Sequence, residues 1–268
     1  MLRLPKVIVV MPAYNAARTL ERTYNDLPRD LVAKVILVDD VSEDDTVEIA
    51  QRLGLKVVIH VQNKGYGGNQ KTCYLEALKD GADVVVMLHP DYQYDSRLVP
   101  QLIQPILEGR ADLVLGSRLL GGSPRVGGMP LYKLIANRFL TLVENLAFGR
   151  NLSEYHTGFR AYSRRLLETI PFLLNSDKFV FDSEVIAQTV AFKFRIAEIA
   201  VPTRYFKEAS SVNWREGIAY GLGTLGIVAR YLLDRWGLLP APKFRKRLPE
   251  VMSKYYVPLV LRDRDSSG

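Results

Sequence analysis

Short apolar runs that empty into polar residues, with helical segments between them, constrain this chain more than any other feature. Val7–Met11 ends at Pro12, Val35–Val38 runs into Asp39-Asp40, and Val57–Val61 precedes Asn63-Lys64-Gly65. Val84–Leu88 empties into His89-Pro90-Asp91-Tyr92-Gln93, and Leu113–Leu115 follows as a further run. Between them Ala17–Asp26, Ser42 or Asp44 through Leu53, Gln70–Lys79 and Arg97–Glu108 read as helices. Apolar runs bounded in this way are buried parallel strands. Their alternation with helices predicts an α/β fold, a Rossmann-like, mostly parallel sheet with helices on both faces.

Open sheets of this kind bind ligands beyond the carboxyl ends of their strands. In an extended segment His89, Asp91 and Gln93 alternate onto one side, offering three ligands to one divalent ion, Mg²⁺ or Mn²⁺. An ion held there could neutralise a nucleotide diphosphate, which suggests sugar transfer from an activated donor. At the other strand tips, acidic groups can accept hydrogen bonds from a base or a ribose hydroxyl. Asp39 stands out, because a carboxylate closing an apolar strand is costly without a partner. Asp44 and Asp45 read as helix caps. The glycines of Asn63–Gln70 allow close approach of a ligand to the backbone, with helix N-terminal amides just beyond. This segment fits neither the dinucleotide fingerprint nor a P-loop.

Hydrophobic content of 48% with 24% charged residues over 268 positions predicts one large globular domain without extended disorder. A formal charge of +7 calls for an anionic partner, such as a phosphate-bearing substrate or an anionic membrane. No nucleic-acid-binding motif accompanies the charge, so nucleic acid is not expected. Cys73 is the only cysteine, which rules out an intrachain disulfide or a cysteine metal cluster. Met1–Lys6 lacks the apolar core of a signal peptide, and no uncharged apolar run reaches about 18 residues. These features predict a cytoplasmic protein, with room for peripheral association with the inner face of a membrane.

After the glycine-rich loop Gly121–Gly128, Pro130 can open a helix. Leu131, Leu134, Ile135, Phe139, Leu142, Val143 and Leu146 form its apolar stripe, with Lys133, Asn137, Thr141 and Glu144 on another side. Arg195–Val201 reads as a strand. Ile218, Leu222, Leu225, Ala229, Leu232 and Trp236 line one face of a last helix, followed by the basic cluster Lys243–Arg247. The chain divides into a catalytic domain over 1–215 and, over 216–268, an amphipathic helix and basic tail packed on or extending it. The core, a homodimer interface or a membrane surface could cover the two stripes. Trp236 and the basic cluster favour an anionic membrane.

Pro12-Ala13-Tyr14-Asn15, Val38–Thr46, Asn63–Gly67, Asp91-Tyr92-Gln93 and Gly116-Ser117-Arg118, in this order, resemble the family-2 glycosyltransferases of the GT-A fold. Within them the chain looks most like the dolichol-phosphate mannose synthase and polyprenyl-phosphate glycosyltransferase branch, over roughly residues 5–215. The resemblance implies an inverting hexosyltransferase that takes sugar from a UDP- or GDP-linked donor to a polyprenyl or dolichyl phosphate. Pro12, Tyr14, Asn15, Asp39, Asp40, Lys64, Gly65, Asp91 and Arg204 would serve the nucleotide sugar, and Asp91 and Gln93 the metal. Arg118 would meet the acceptor phosphate, for which Arg125 and Lys133 are further cations. Ser210–Asn213 matches the family's serine-rich stretch.

Two positions depart from the pattern. His89 stands where the family commonly has an acid, and imidazole suits Mn²⁺ better than Mg²⁺. His89 either ligates the metal or contacts the sugar. His156 also stands where relatives often carry an acid, on the acceptor side. A phosphate acceptor is already anionic and needs no general base. A saccharide or glycolipid hydroxyl would need one, for which Asp182 and Glu184 are the available pair, unless they cap the helix that follows. A catalytically silent sugar-nucleotide binder is the remaining alternative.

Overall fold

A computed structural model describes residues 4–120, 131–202 and 214–261. The elements, in order, are β1 (Val7–Ala13), α1 (Ala17–Asn25), β2 (Lys34–Asp39), α2 (Thr46–Arg52), β3 (Lys56–Ile59), α3 (Gly65–Lys79) and β4 (Val84–Met87). They continue as α4 (Val99–Leu107), β5 (Leu113–Ser117), α5 (Leu131–Phe148), β6 (Arg160–Ser163), α6 (Arg164–Thr169) and α7 (Phe181–Ala191). The last are β7 (Ile196–Ala200), α8 (Trp214–Arg235), α9 (Leu248–Val251) and α10 (Val257–Val260).

One seven-stranded sheet has the order β3-β2-β1-β4-β6-β5-β7. It is mostly parallel, and only the two pairings of β6 are antiparallel. Successive residues of β1 point to opposite faces, as the pleat requires. Ile8 and Val10 enter one buried cluster, while Val7, Val9 and Met11 enter another. Helices therefore cover both faces. Val228, Tyr231, Phe244, Leu248 and Val260 of the C-terminal segment belong to the first cluster.

β6 lies outside the sequence pattern because Arg160-Ala161-Tyr162-Ser163 contains no apolar run. Its direction matters for the site. Arg160 pairs with Met87, so the chain entering β6, Tyr155–Phe159, lies at the edge where β1, β2 and β4 end.

α3 begins at Gly65, earlier than the expected start at Gln70. Each glycine in a helix costs about 1 kcal/mol relative to alanine, so packing must favour the extra turn. A Cβ on Gly67 would sit 2.3 Å from the Ser176 carbonyl oxygen and 2.8 Å from Phe181 Cβ. These glycines admit the 176–181 segment. The first amides are also committed within the protein, Lys64 and Gly65 to Asp40 and Gly67 to the Asp177 carbonyl.

α5 has the reverse of the usual amphipathic arrangement. Asn137, Thr141 and Glu144 are buried with Leu140 and Phe148, whereas Leu131, Tyr132, Ile135, Phe139, Leu142 and Leu146 are 54–76% exposed. The surface beneath the helix is polar, which explains the polar inner side. Asn137 Nδ2 donates to Glu154 Oε1 at 2.8 Å, and Glu144 faces His156. α8 packs beside α5, with Phe148 and Tyr231 edge to face at 5.0 Å. Ile218, Leu222 and Trp236 of the α8 segment are also exposed. Among the described residues, no helix is long and apolar enough to cross a membrane.

Candidate active site

The tips of β1, β2 and β4 turn through Asn15, Val41 and Tyr92, all non-glycine residues at positive φ. For a β-branched side chain such as Val41 this is a strained conformation, and strain of this kind concentrates at functional sites. Hydrogen bonds hold the first two tips together. Asn15 N–H donates to Ser42 Oγ at 2.9 Å, and Glu43 N–H donates to Asn15 Oδ1 at 2.8 Å. Asp39 accepts from the amide and the hydroxyl of Ser42, which satisfies the carboxylate at the strand end. Pro12 is buried in β1, while Tyr14 and Val41 stand exposed at the rim.

Asp40 is committed to structure. Its oxygens accept the Lys64 and Gly65 amides at 2.8 and 2.9 Å, and His60 Nδ1 lies 2.7 Å from Oδ1. His60 Nε2 in turn meets Thr72 Oγ1. This buried arrangement fixes the start of α3 and leaves the Lys64 side chain exposed beside the tips.

The third tip carries a connected cluster of polar side chains. Tyr92, at φ 61°, turns the His89–Gln93 segment out of the extended form, so strand alternation does not place its polar residues on one side. His89 stacks on Tyr66 with ring planes 8° apart, and its Nε2 lies 3.3 Å from the Tyr66 hydroxyl. Tyr66 O–H donates to Asp182 Oδ2 at 2.8 Å. Asp182 Oδ1 accepts from Gln70 Nε2 at 3.1 Å and lies 3.0 Å from Nη1 of the buried Arg160. Burial would lower the Arg160 guanidinium, but Asp182 holds it well above its ordinary value. Asp182, Tyr66 and His89 thus form one connected polar wall.

Several other candidates have structural partners. Arg118 donates from its amide, Nε and Nη2 to the buried Glu154 carboxylate, and from Nη2 to the His156 carbonyl. Glu184 is buried against Lys243 and accepts the Ser176 amide at 2.6 Å, facing away from Asp182's partners. Lys243 of the basic cluster is therefore neutralised, as is Arg245 by Asp234. Lys133 lies half-buried in the first turn of α5. Arg125, Arg204, Ser210–Asn213 and the Gly121–Gly128 loop lie outside the described residues. The sequence reading misses Tyr66, Gln70, Arg160 and Glu154. No local pattern marks them, because their partners are distant in sequence.

The profile described as Glycosyl transferase family 2 matches residues 8–171, more than half of the chain and every strand tip above. The chain belongs to glycosyl transferase family 2. It is 28% identical over 216 residues to the UDP-N-acetylglucosamine–dolichyl-phosphate N-acetylglucosaminyltransferase of Methanococcus voltae, covering 74% of this chain and 86% of that protein. It is 28% identical over 239 residues to the undecaprenyl-phosphate mannosyltransferase of Micrococcus luteus, covering 86% and 96%. Among solved structures, it resembles glucosyl-3-phosphoglycerate synthase from Mycobacterium tuberculosis in complex with phosphoglyceric acid. That likeness has a TM-score of 0.63 at 25% identity and covers 88% of this chain and 81% of that one. A complex of the same synthase with Mn²⁺, UDP-glucose and phosphoglyceric acid matches with TM-score 0.62 at 25% identity, covering 88% and 81%. The fold is GT-A.

The divalent ion expected from the sequence would fall at the third tip. Among the described residues no group of three His, Cys, Asp or Glu side chains could hold an ion. One carboxylate with a carboxamide and the substrate's own phosphates is nonetheless an ordinary set for such ions. Burial raises the Asp91 carboxyl above its usual range despite His89, a cost that a divalent cation would remove. Burial likewise lowers His89 against the pull of Asp91 and Asp182, giving a neutral imidazole. Asp91 and Gln93 are the residues here that would hold a divalent ion.

Gly158 sets the position of His89. A Cβ there would sit 2.9 Å from His89 Cδ2 and 3.2 Å from Nε2, so with alanine the ring or the backbone beside it must shift. Gly158→Ala is expected to remain folded, by its circular dichroism melt, and to lose roughly 10- to 100-fold in transfer rate through misplacement alone. A wild-type rate in this variant would show that the position of His89 is immaterial.

Proposed function

We propose that this enzyme moves a hexose from a nucleotide-diphosphate sugar, UDP-glucose or GDP-mannose in type, to a polyprenyl or dolichyl phosphate, inverting the anomeric carbon. The reversed α5 supports this reading over a water-soluble acceptor. Its apolar side faces outward beside the exposed face of α8, at the flank of the polar site. A lipid tail and its bilayer could cover that face while the headgroup reaches the cleft. The relatives that act on dolichyl and undecaprenyl phosphate support the same acceptor class.

In this mechanism Tyr14, Asp39 and the Lys64-Gly65 turn, with Pro12 and Asn15 shaping the tips and Arg204, hold the nucleotide. A divalent ion at Asp91 and Gln93 would stabilise charge on the diphosphate leaving group. Arg118, Lys133 and Arg125 are our candidates for holding the acceptor phosphate in line. An anionic phosphate oxygen forms the new bond to the anomeric carbon as the bond to the nucleoside diphosphate breaks, and no proton has to move. The rival acceptor, a saccharide hydroxyl, needs a carboxylate base. Asp182 and Glu184 are poor choices, since each neutralises a cation in the protein, Arg160 and Lys243.

The test is transfer of label from UDP-glucose and GDP-mannose to a short polyprenyl phosphate with Mn²⁺, Mg²⁺ or EDTA. Metal-dependent label in the lipid phase is expected. Transfer to a saccharide with none to lipid would overturn the acceptor. For the membrane face, Leu142 and Leu146 are exposed, so replacing both with Glu should leave the fold intact. Each buried leucine is worth about 1.5–3 kcal/mol, so co-sedimentation with anionic vesicles should fall by more than about ten-fold. Transfer to a short, water-soluble acceptor should be unchanged. Undiminished sedimentation would show that this face does not meet the membrane.

A further inference from the structure

α1 carries a polar face that the transfer mechanism above does not use. Thr19, Arg22, Thr23 and Asp26 fall at i, i+3, i+4 and i+7, which aligns them along one side of a helix. Each of them meets the segment that follows β4. Thr19 Oγ1 donates to the Pro90 carbonyl at 2.5 Å. The Arg22 guanidinium lies over the Tyr92 ring, 4.1 Å from its centroid. The Thr23 carbonyl, in the last turn where a helix leaves such groups without a helical donor, accepts from Ser96 Oγ at 2.9 Å. Asp26, at the C-cap, accepts from the Tyr92 hydroxyl at 2.7 Å.

Tyr92 is where these contacts matter most. Its side chain is buried, and its φ of 61° is a conformation that persists in a non-glycine residue only where the surroundings hold it. Tyr92 stands between Asp91 and Gln93, so its backbone decides how those two residues are presented relative to each other. Across the same turn Asp91 Oδ1 accepts the Gln93 amide at 3.1 Å. The phenol is gripped at its hydroxyl by the Asp26 carboxylate and across its face by the Arg22 cation. α1 is also tied at its start to the residues beyond β2. Ala16 N–H donates to Thr46 Oγ1 at 2.8 Å, and Ala17 N–H donates to Asp44 Oδ2 at 3.0 Å. One helix therefore holds the second tip at its N-terminus and the third tip along its side.

We infer that Asp26 is a positioning residue for the divalent ion, because its hold on Tyr92 fixes the turn that presents Asp91 and Gln93 as a pair. α1 then sets that pair at a constant place relative to the nucleotide-binding tips. The inference rests on the metal and nucleotide-sugar reading above. Asp26 acts through Tyr92 and needs no contact with ion or substrate. Groups that orient a metal ligand in this indirect way are worth about ten-fold or more in metal affinity.

The experiment titrates Mn²⁺ into the full chain with UDP or GDP, whichever wild type binds, and measures the affinity for that nucleotide in EDTA. Asp26→Ala should weaken Mn²⁺ binding about ten-fold. Its nucleotide affinity in EDTA should stay at the wild-type value, a split that general loosening of the fold would not produce. Asp26→Asn keeps an oxygen for the Tyr92 hydroxyl and should restore most of the Mn²⁺ affinity. Tyr92→Phe should match Asp26→Ala. The double variant should lose no more than either alone, since both remove the same hydrogen bond. Wild-type Mn²⁺ affinity in either single variant overturns the assignment. So do additive losses in the double variant, or a nucleotide affinity in EDTA that falls in parallel. If Mn²⁺ binds wild type with neither nucleotide, the metal reading itself fails and the assignment falls with it.

Discussion

Asp91→Asn is expected to reduce sugar transfer by about 10³-fold or more while leaving the metal-free protein at least as stable as wild type. The loss follows from the leaving group. A nucleoside diphosphate departs with growing charge, and electrostatic stabilisation of developing charge is worth on the order of 3–4 kcal/mol for even a single removed donor. Asparagine retains the size of the side chain and can still accept the Gln93 amide at Oδ1, but contributes no charge. The stability effect has the opposite sign. Burial raises the Asp91 carboxyl above its unfolded value, so the folded chain holds this proton more tightly than the unfolded one. This group therefore costs stability as pH rises from the usual carboxylate range through the raised value, and the cost persists at neutrality. Asparagine removes it. Melting curves at neutral pH should show an equal or higher Tm for Asp91→Asn without metal. Mn²⁺ should raise the Tm of wild type but not of the variant. A variant that retains transfer, or that Mn²⁺ stabilises equally, would place the ion elsewhere.

The parts of this enzyme that were legible in its sequence are those built from short-range periodicity. Val7–Met11 and Val84–Met87 announce themselves as strands because their residues are buried on both faces of a parallel sheet. The polar residues after them mark the edge where the site forms. β6 gives no such signal, since Arg160 enters the interior through its pairing with Asp182, a partner that only the fold brings close. The Gly65–Asn69 stretch reads as a loop because glycine is a poor helix former, yet packing against 176–181 makes it the first turn of α3. The stripe on α5 is plain in the sequence, but which side faces inward depends on Glu154 and His156, and these are set by tertiary contacts. Asp91 is legible as a tip residue. Tyr66 is not, because an aromatic residue in a helix more often signals core than site.

Asp182→Ala is expected to cost about 3–5 kcal/mol of stability, a fall in Tm of roughly 10 °C, whether or not Asp182 has any part in catalysis. The carboxylate is the charged partner of Arg160, which is 1% exposed, and it also accepts from Tyr66 and Gln70. Removing it strands the buried guanidinium without its counter-charge and unhooks Tyr66 from its place against His89. Loss of transfer in this variant is therefore no sign of a general base. The double replacement Asp182→Ala with Arg160→Met separates the two roles, because it removes the stranded charge together with its partner. Much of the lost stability should return, as it does when buried ion pairs are exchanged for apolar side chains. If Asp182 only orients its neighbours, transfer to polyprenyl phosphate should recover in part along with the Tm. A double variant that is stable yet inactive on lipid phosphate would return Asp182 to the reacting atoms and restore the hydroxyl acceptor as the better reading. A single variant as stable as wild type would show that the Arg160 charge finds another partner, and that Asp182 does not hold this wall together.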